Sequence, residues 1–226
     1  MTVRKRLLQF AILLLPLTAL ITLADNRTAS KVETLSNHET VAVFEGTRLH
    51  RCIGLTSLCP DRCGHSGTLA TFKIVKYLKY EKTGKYGDPQ GETFVFMLEN
   101  NLKQAKAPLE IRETVAGLKP GDTVLLSWNH DYVTRGGSSS PERPVKKLER
   151  IAAPGSDAWL QQIEAATSVT SGDDTKPETG SDEWKKIVSR KLQLHDETGQ
   201  GPLIDSDKWQ EELHRKVFGI SPARPD

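Results

Sequence analysis

The residues best able to do chemistry are gathered in one stretch. All three cysteines fall in the run CIGLTSLCPDRCGH, Cys52 to His65, and His50 stands just before it. Thiolates and imidazoles at Cys52, Cys59, Cys63 and His65 would make a tetrahedral set for zinc or a thiolate-rich set for monovalent copper, with His50 or His130 standing in for one ligand. The spacing matches no paired C-x-x-C framework. The N-terminus also marks the chain for export to where thiols oxidise, so the sequence favours one disulfide plus a leftover thiol over the metal. Neither the C-x-x-C-H of covalent haem attachment nor the C-x-x-C of a thiol–disulfide oxidoreductase is present. A Cys63/His65 nucleophile pair would lack a third group to orient it.

A second candidate set is cationic. Lys73, Lys76 and Lys79, followed by Lys82 and Lys85, interleave with Tyr77, Tyr80 and Tyr86. Aromatics beside cations grip single strands and other anionic polymers. Spacing by three scatters lysines over both faces of a strand, however, so an edge strand guarded by lysine fits better, and nucleic acid is not the expected partner. Trp128-Asn129-His130-Asp131-Tyr132 is a polar end for a strand. It offers His130 and Asp131 to a ligand or, more commonly, to neighbouring loops.

The third candidate is calcium. In DETGQGPLIDSD, Asp196, Thr198 and Gln200 take positions 1, 3 and 5 of a twelve-residue loop, with Gly201 at 6 and Asp207 at 12, which resembles a degenerate EF-hand. The resemblance implies calcium held by Asp196, Thr198, Gln200 and Asp207. Ile204 at position 9 and Asp in place of the final Glu depart from the pattern.

The elements that must position these residues begin with a leader. Arg4, Lys5 and Arg6 precede Leu7 to Ala24, which carry no charge, and Asp25 follows. A basic head, an apolar run and small residues near its end describe a signal peptide over 1–24, cut after Ala24 or retained as a membrane anchor over 7–24. The expected location is periplasmic or extracellular. Without the leader the bases fall one short of the 29 acids, so the pI of about 8.4 owes much to the leader and argues little for a nucleic-acid partner. The 38–154 stretch is mildly basic and the remainder acidic. With 37% hydrophobic and 27% charged residues, the chain affords one modest core.

Residues 25–37 are polar and aperiodic and read as a spacer. Strands are predicted over 40–49, 68–81, 93–98, 123–132 and 145–151, from alternation and turn chemistry at Thr83-Gly84, Gly87-Asp88-Pro89 and Lys119-Pro120-Gly121-Asp122. Pro108 with Ile111, Val115 and Leu118 at helical spacing predicts one helix ending near Gly117. Arg135 to Pro144, with Gly136-Gly137-Ser138-Ser139-Ser140, reads as a loop. Three strands, a helix and two strands over 38–153 is an order similar to the five-stranded OB-fold barrel, with an SH3-like barrel or an open antiparallel sheet as the structural alternative. That resemblance implies a binding face flanked by the cysteine loop and the Gly/Ser loop, and carries no function by itself.

From Pro154 a repeat begins. Ser156-Asp157-Ala158-Trp159, Ser181-Asp182-Glu183-Trp184 and Ser206-Asp207-Lys208-Trp209 recur every 25 residues. Each Ser is suited to N-cap a helix, and each Trp is followed four residues later by Ile163, Val188 or Leu213. An acidic three-helix region over 154–219 follows, with a tail over 220–226. It serves either to dock a partner or simply to pack on itself or on the barrel. The expected whole is a mainly β, OB-like part plus a short helical repeat region. Its expected role is binding or scaffolding outside the cytoplasm, with no catalytic constellation and no ligand named; metal binding through the cysteine loop, or binding of an anionic polymer, are the alternatives.

Overall fold

The computed structural model describes residues 30–52, 65–169, 177–195 and 200–222. The leader, Cys59, Cys63, Asp196 and Thr198 lie outside the described residues. What is described is mainly β: an antiparallel sheet of six strands with four helices. β1 (Lys31–His50) pairs with β2 (Gly67–Lys82) from Ser36 to His50 and with β4 (Thr123–Arg135) from Lys31 to Val43. β3 (Thr93–Asn100) lies outside β2, while β5 (Ser138–Glu142) and β6 (Val145–Arg150) follow one another along the outer side of β4. α1 (Leu109–Gly117) joins β3 to β4; α2 (Asp157–Thr167), α3 (Asp182–Lys191) and α4 (Asp207–Phe218) come last.

Three sequence expectations change. The stretch expected as spacer is strand from Lys31 onward, because the long β4 supplies ladder partners from Asp131 to Thr134 whatever the side-chain period of β1. The expected Gly/Ser loop is a hairpin: Gly136 and Gly137 have φ of +55° and +82°, as a two-residue type I′ turn requires, and β5 returns along β4. The sheet is not closed into a barrel. β6 pairs with β4 alone, and the outer side of β3 is taken at its far end by its own chain. There Lys106 N donates to Leu98 O at 2.9 Å and Asn100 N to Gln104 O at 3.0 Å.

The sheet is covered on both faces, which is why consecutive residues are buried at Thr40-Val41-Ala42 and at Val124-Leu125-Leu126. Neighbours along a strand point to opposite sides. Ala42, Phe44, Phe72, Phe94 and Phe96 pack with Ile111, Val115 and Leu118 around α1. Val41 and Leu125 face the other way, into the tryptophan helices.

Those helices form a closed ring with the sequence repeat as its symmetry. Each N-cap serine accepts from the tryptophan backbone N–H at 3.2 Å, and each tryptophan is buried. The indole N–H then donates to the residue five places beyond the tryptophan of another repeat. Trp184 reaches Glu164 Oε2 (2.6 Å), Trp209 reaches Ser189 Oγ (2.8 Å), and Trp159 reaches His214 Nδ1 (3.1 Å), closing the cycle. A second set of contacts runs the same way round. Leu160 lies against Gly180 and Gln210 against Gly155, while Lys185 Nζ pairs with Asp205 at 2.7 Å. Gly155, Gly180 and Asp205 each precede an N-cap and have φ of +80°, +87° and +67°. The helix C-termini also have lysine donors: Lys191 Nζ bonds Thr167 O and Ser168 O at the end of α2. The first repeat has Ala166 where the second has Lys191, and Lys76 of the sheet bonds Lys216 O and Val217 O at the end of α4, both at 2.7 Å.

Candidate functional site

Where the sheet's inner face meets the loop after β2, it carries a polar cluster. His38 pairs with Trp128 on β4 and Tyr80 on β2, stacks on the indole with centroids 4.5 Å apart, and takes Ser36 Oγ at 2.9 Å from its Nε2. The loop closing over it is pinned from below: Tyr80 OH donates to Asp88 O (2.9 Å), and Tyr77 OH accepts from Gly91 N (2.8 Å). Asp88 is gripped by Arg143 at both oxygens (2.6 and 2.8 Å), a planar fork on a carboxylate. His130 Nδ1 stands 3.2 Å from Asp88 Oδ1, but off hydrogen-bonding geometry, so both its ring nitrogens are buried without a hydrogen-bond partner.

The electrostatics follow from burial and from that grip. Desolvation lowers the His38 pKa, opposed by Asp88 and assisted by His130 and Arg143. The hydrogen bonds from Arg143 hold Asp88 below the usual carboxylate range against a desolvation that would raise it. Arg143 is raised in turn, first by its bond to Asp88. Burial raises the Tyr77 hydroxyl.

The accessible feature is the seam left where the sheet fails to close. A cavity of about 490 Å³ lies between β3 and the β5–β6 junction. Its walls are Val95, Phe96 and Met97 of β3; Lys106, Ala107 and Pro108 before α1; and Arg143, Pro144 and Val145 between β5 and β6. His65, which follows the cysteine stretch, completes it. Among the described residues its lining is apolar with three basic side chains, His65, Lys106 and Arg143. Because Arg143 is committed to Asp88, Lys106 is the remaining cation and His65 the remaining imidazole among the described lining residues. A second cleft, about 940 Å³, is the crease where α4 meets the sheet end at Ile151 to Pro154; its charged walls are Asp207 and Glu211.

The sequence candidates scatter across this frame. His50 pairs with Gly67, and Cys52 N donates to Ser66 Oγ at 3.0 Å, so His50, Cys52 and His65 share the base of the cysteine stretch. Cys52 has no disulfide partner among the described residues, and no group of three or more His, Cys, Asp or Glu there could hold a metal. His130 pairs with Ser36, fourteen residues along β1 from His50, and faces Asp88 rather than the described end of the cysteine stretch. Asp131 is buried and accepts from Thr34 Oγ1 at 2.7 Å.

The cationic set is not brought together either. Lys76 caps α4, burial lowering its pKa; Lys79 pairs with Glu81 at 3.2 Å; Lys73 is exposed; Tyr77 and Tyr80 hold the Asp88 loop. β2 is flanked on both sides up to Lys73 and is an edge only beyond it, where Ile74 N still bonds Glu92 O at 2.7 Å. Of the calcium set, Gln200 is exposed, and Asp207 opens α4 directly after its N-cap.

Sequence reasoning missed His38, Asp88, Arg143 and Lys106. Asp88 looked like turn chemistry only, and no local pattern ties a turn aspartate to an arginine 55 positions on. Comparison with known proteins finds no matching family model, no matching curated protein and no matching solved structure.

Proposed function

We propose that this is an exported, non-catalytic binding protein whose ligand seat is the seam between β3 and the β5–β6 junction. The strand order β3-β2-β1-β4-β5, with α1 between β3 and β4, supports reading the sheet as an open version of the OB-like barrel expected from the sequence. The one observation that carries the seat is the cavity itself, a recess whose described lining is apolar with basic groups at its rim, the composition of a small-ligand or peptide site. A non-catalytic role is supported by the state of the groups suited to acid–base work. His38 and His130 are buried beneath the Asp88 loop, and Asp88 is spent on Arg143. Export rests on the leader-like residues 1–24.

The test uses the anionic aromatic dye anilinonaphthalene sulfonate. A single bound dye per chain is expected, lost in Val95→Glu and Lys106→Glu, with unfolding temperatures unchanged and with Lys85→Glu binding normally. Dye binding indifferent to Val95→Glu and Lys106→Glu would remove the seam as the seat.

A further inference from the structure

The walls of the seam are runs of consecutive residues, 95–97 on one side and 143–145 on the other. A strand that turns its face to a cavity contributes every second side chain, whereas one that turns its edge contributes neighbours. On the β3 side the cavity therefore looks onto a strand edge, where backbone N–H and C=O groups emerge, and opposite it stands the β5–β6 junction. β3 is terminal in the sheet, and from Thr93 to Met97 its outer edge has no strand beside it among the described residues. Past that point Gln104 to Lys106 already occupy the edge, with a bridge at Glu99 and Ala105. Edge strands are ordinarily guarded by lysine, proline or a bulge. Thr93-Phe94-Val95-Phe96-Met97 holds neither lysine nor proline, and Val95 is 39% exposed.

Taking the seam as the ligand seat, we propose that its ligand is an extended acidic segment of a partner protein, which adds as a strand to β3 and lies along the seam. Main-chain bonds to the Thr93–Met97 edge supply affinity, and acidic side chains facing Lys106 and His65 supply preference, the mode known as strand addition. Charge selects the partner over a second copy of this chain. β3 carries one acid, Glu99, at its covered end, and Glu92 stands just before it, so the edge of another copy brings at most one carboxylate toward Lys106 where an acidic segment brings several.

The probe is a capped, fluorescein-labelled heptapeptide of alternating glutamate and valine, titrated into the full chain by fluorescence anisotropy with the dye bound. Expected is displacement of the dye, with affinity falling at least about tenfold when the valine amides are N-methylated, because a methylated edge cannot donate to β3. A methylated peptide that binds as well as its parent overturns strand addition and leaves the seat standing. So does a bound dye that neither peptide displaces. Absence of both dye and peptide binding fails the seat and the strand together. Concentration-dependent dimerisation of the chain alone, abolished by Val95→Lys, would hand the edge to a second copy and overturn the partner.

Discussion

The helical ring closes and the sheet does not, and each outcome is traceable to what happens at the last contact. In the ring, every repeat offers the same donor and the same socket, so the third indole finds its acceptor on the opposite end of the series, Trp159 on His214. In the sheet, the two outermost strands offer edges that never meet: β3 is partly capped by its own following chain, and β6 stays on β4. A closed cycle buries its tryptophans against one another; a failed closure leaves a recess beside the outer edge of β3. The tryptophan repeat, the most conspicuous pattern in the sequence, closes on itself, and the proposed ligand seat is the seam that the sheet leaves open.

Breaking the ring should give the largest effect. Trp159→Ala empties a fully buried site and removes one indole link, and a loss of about 3–5 kcal/mol is expected in denaturant unfolding. A loss below about 1 kcal/mol would mean that the ring is not a cooperative unit.

The closing link is also the one that acid should loosen. Burial lowers the His214 pKa from 6.5 to about 4 in the folded chain, and its Nδ1 is occupied by the Trp159 indole. The unfolded chain therefore binds more protons between those values, so stability is full above about pH 6.5 and declines as pH falls toward 4. The decline from this residue is up to about 3 kcal/mol and levels off below pH 4. His214→Gln, which can still accept from Trp159, should flatten that stretch of the stability profile. An unchanged slope in the variant would assign the acid sensitivity elsewhere.

The join between ring and sheet comes next. Lys76→Met leaves two α4 carbonyls without their donor, and about 1–2 kcal/mol is expected by thermal unfolding, with dye binding at the seam retained. Loss of dye binding in this variant would show that ring and seam are coupled.

The smallest effects test the symmetry itself. Ser156→Ala, Ser181→Ala and Ser206→Ala should each cost about 1 kcal/mol, because the three caps share one geometry. Costs differing by more than about 1 kcal/mol between them would show that the repeat is equivalent in sequence but not in energy.

Local chemistry decided what could be read in advance. The three helices with their serine caps, the turn at Lys119 to Asp122, α1 and most strand positions follow from signals carried within a few residues of where they act. The Gly136-Gly137 hairpin was equally local, but its polar, solvent-facing serines masked the strand behind it.

What tertiary structure alone decided is everything set by distance. The strand start at Lys31 and the spending of Lys76 on α4 and of Arg143 on Asp88 all depend on partners far away in sequence. The sequence by itself determined which residues could cap, turn and alternate, since those interactions complete within one turn of helix or one hairpin. Whether the sheet's edges met could only be decided in three dimensions. It depends on twist and strand length accumulated across the whole sheet, and no residue carries that sum.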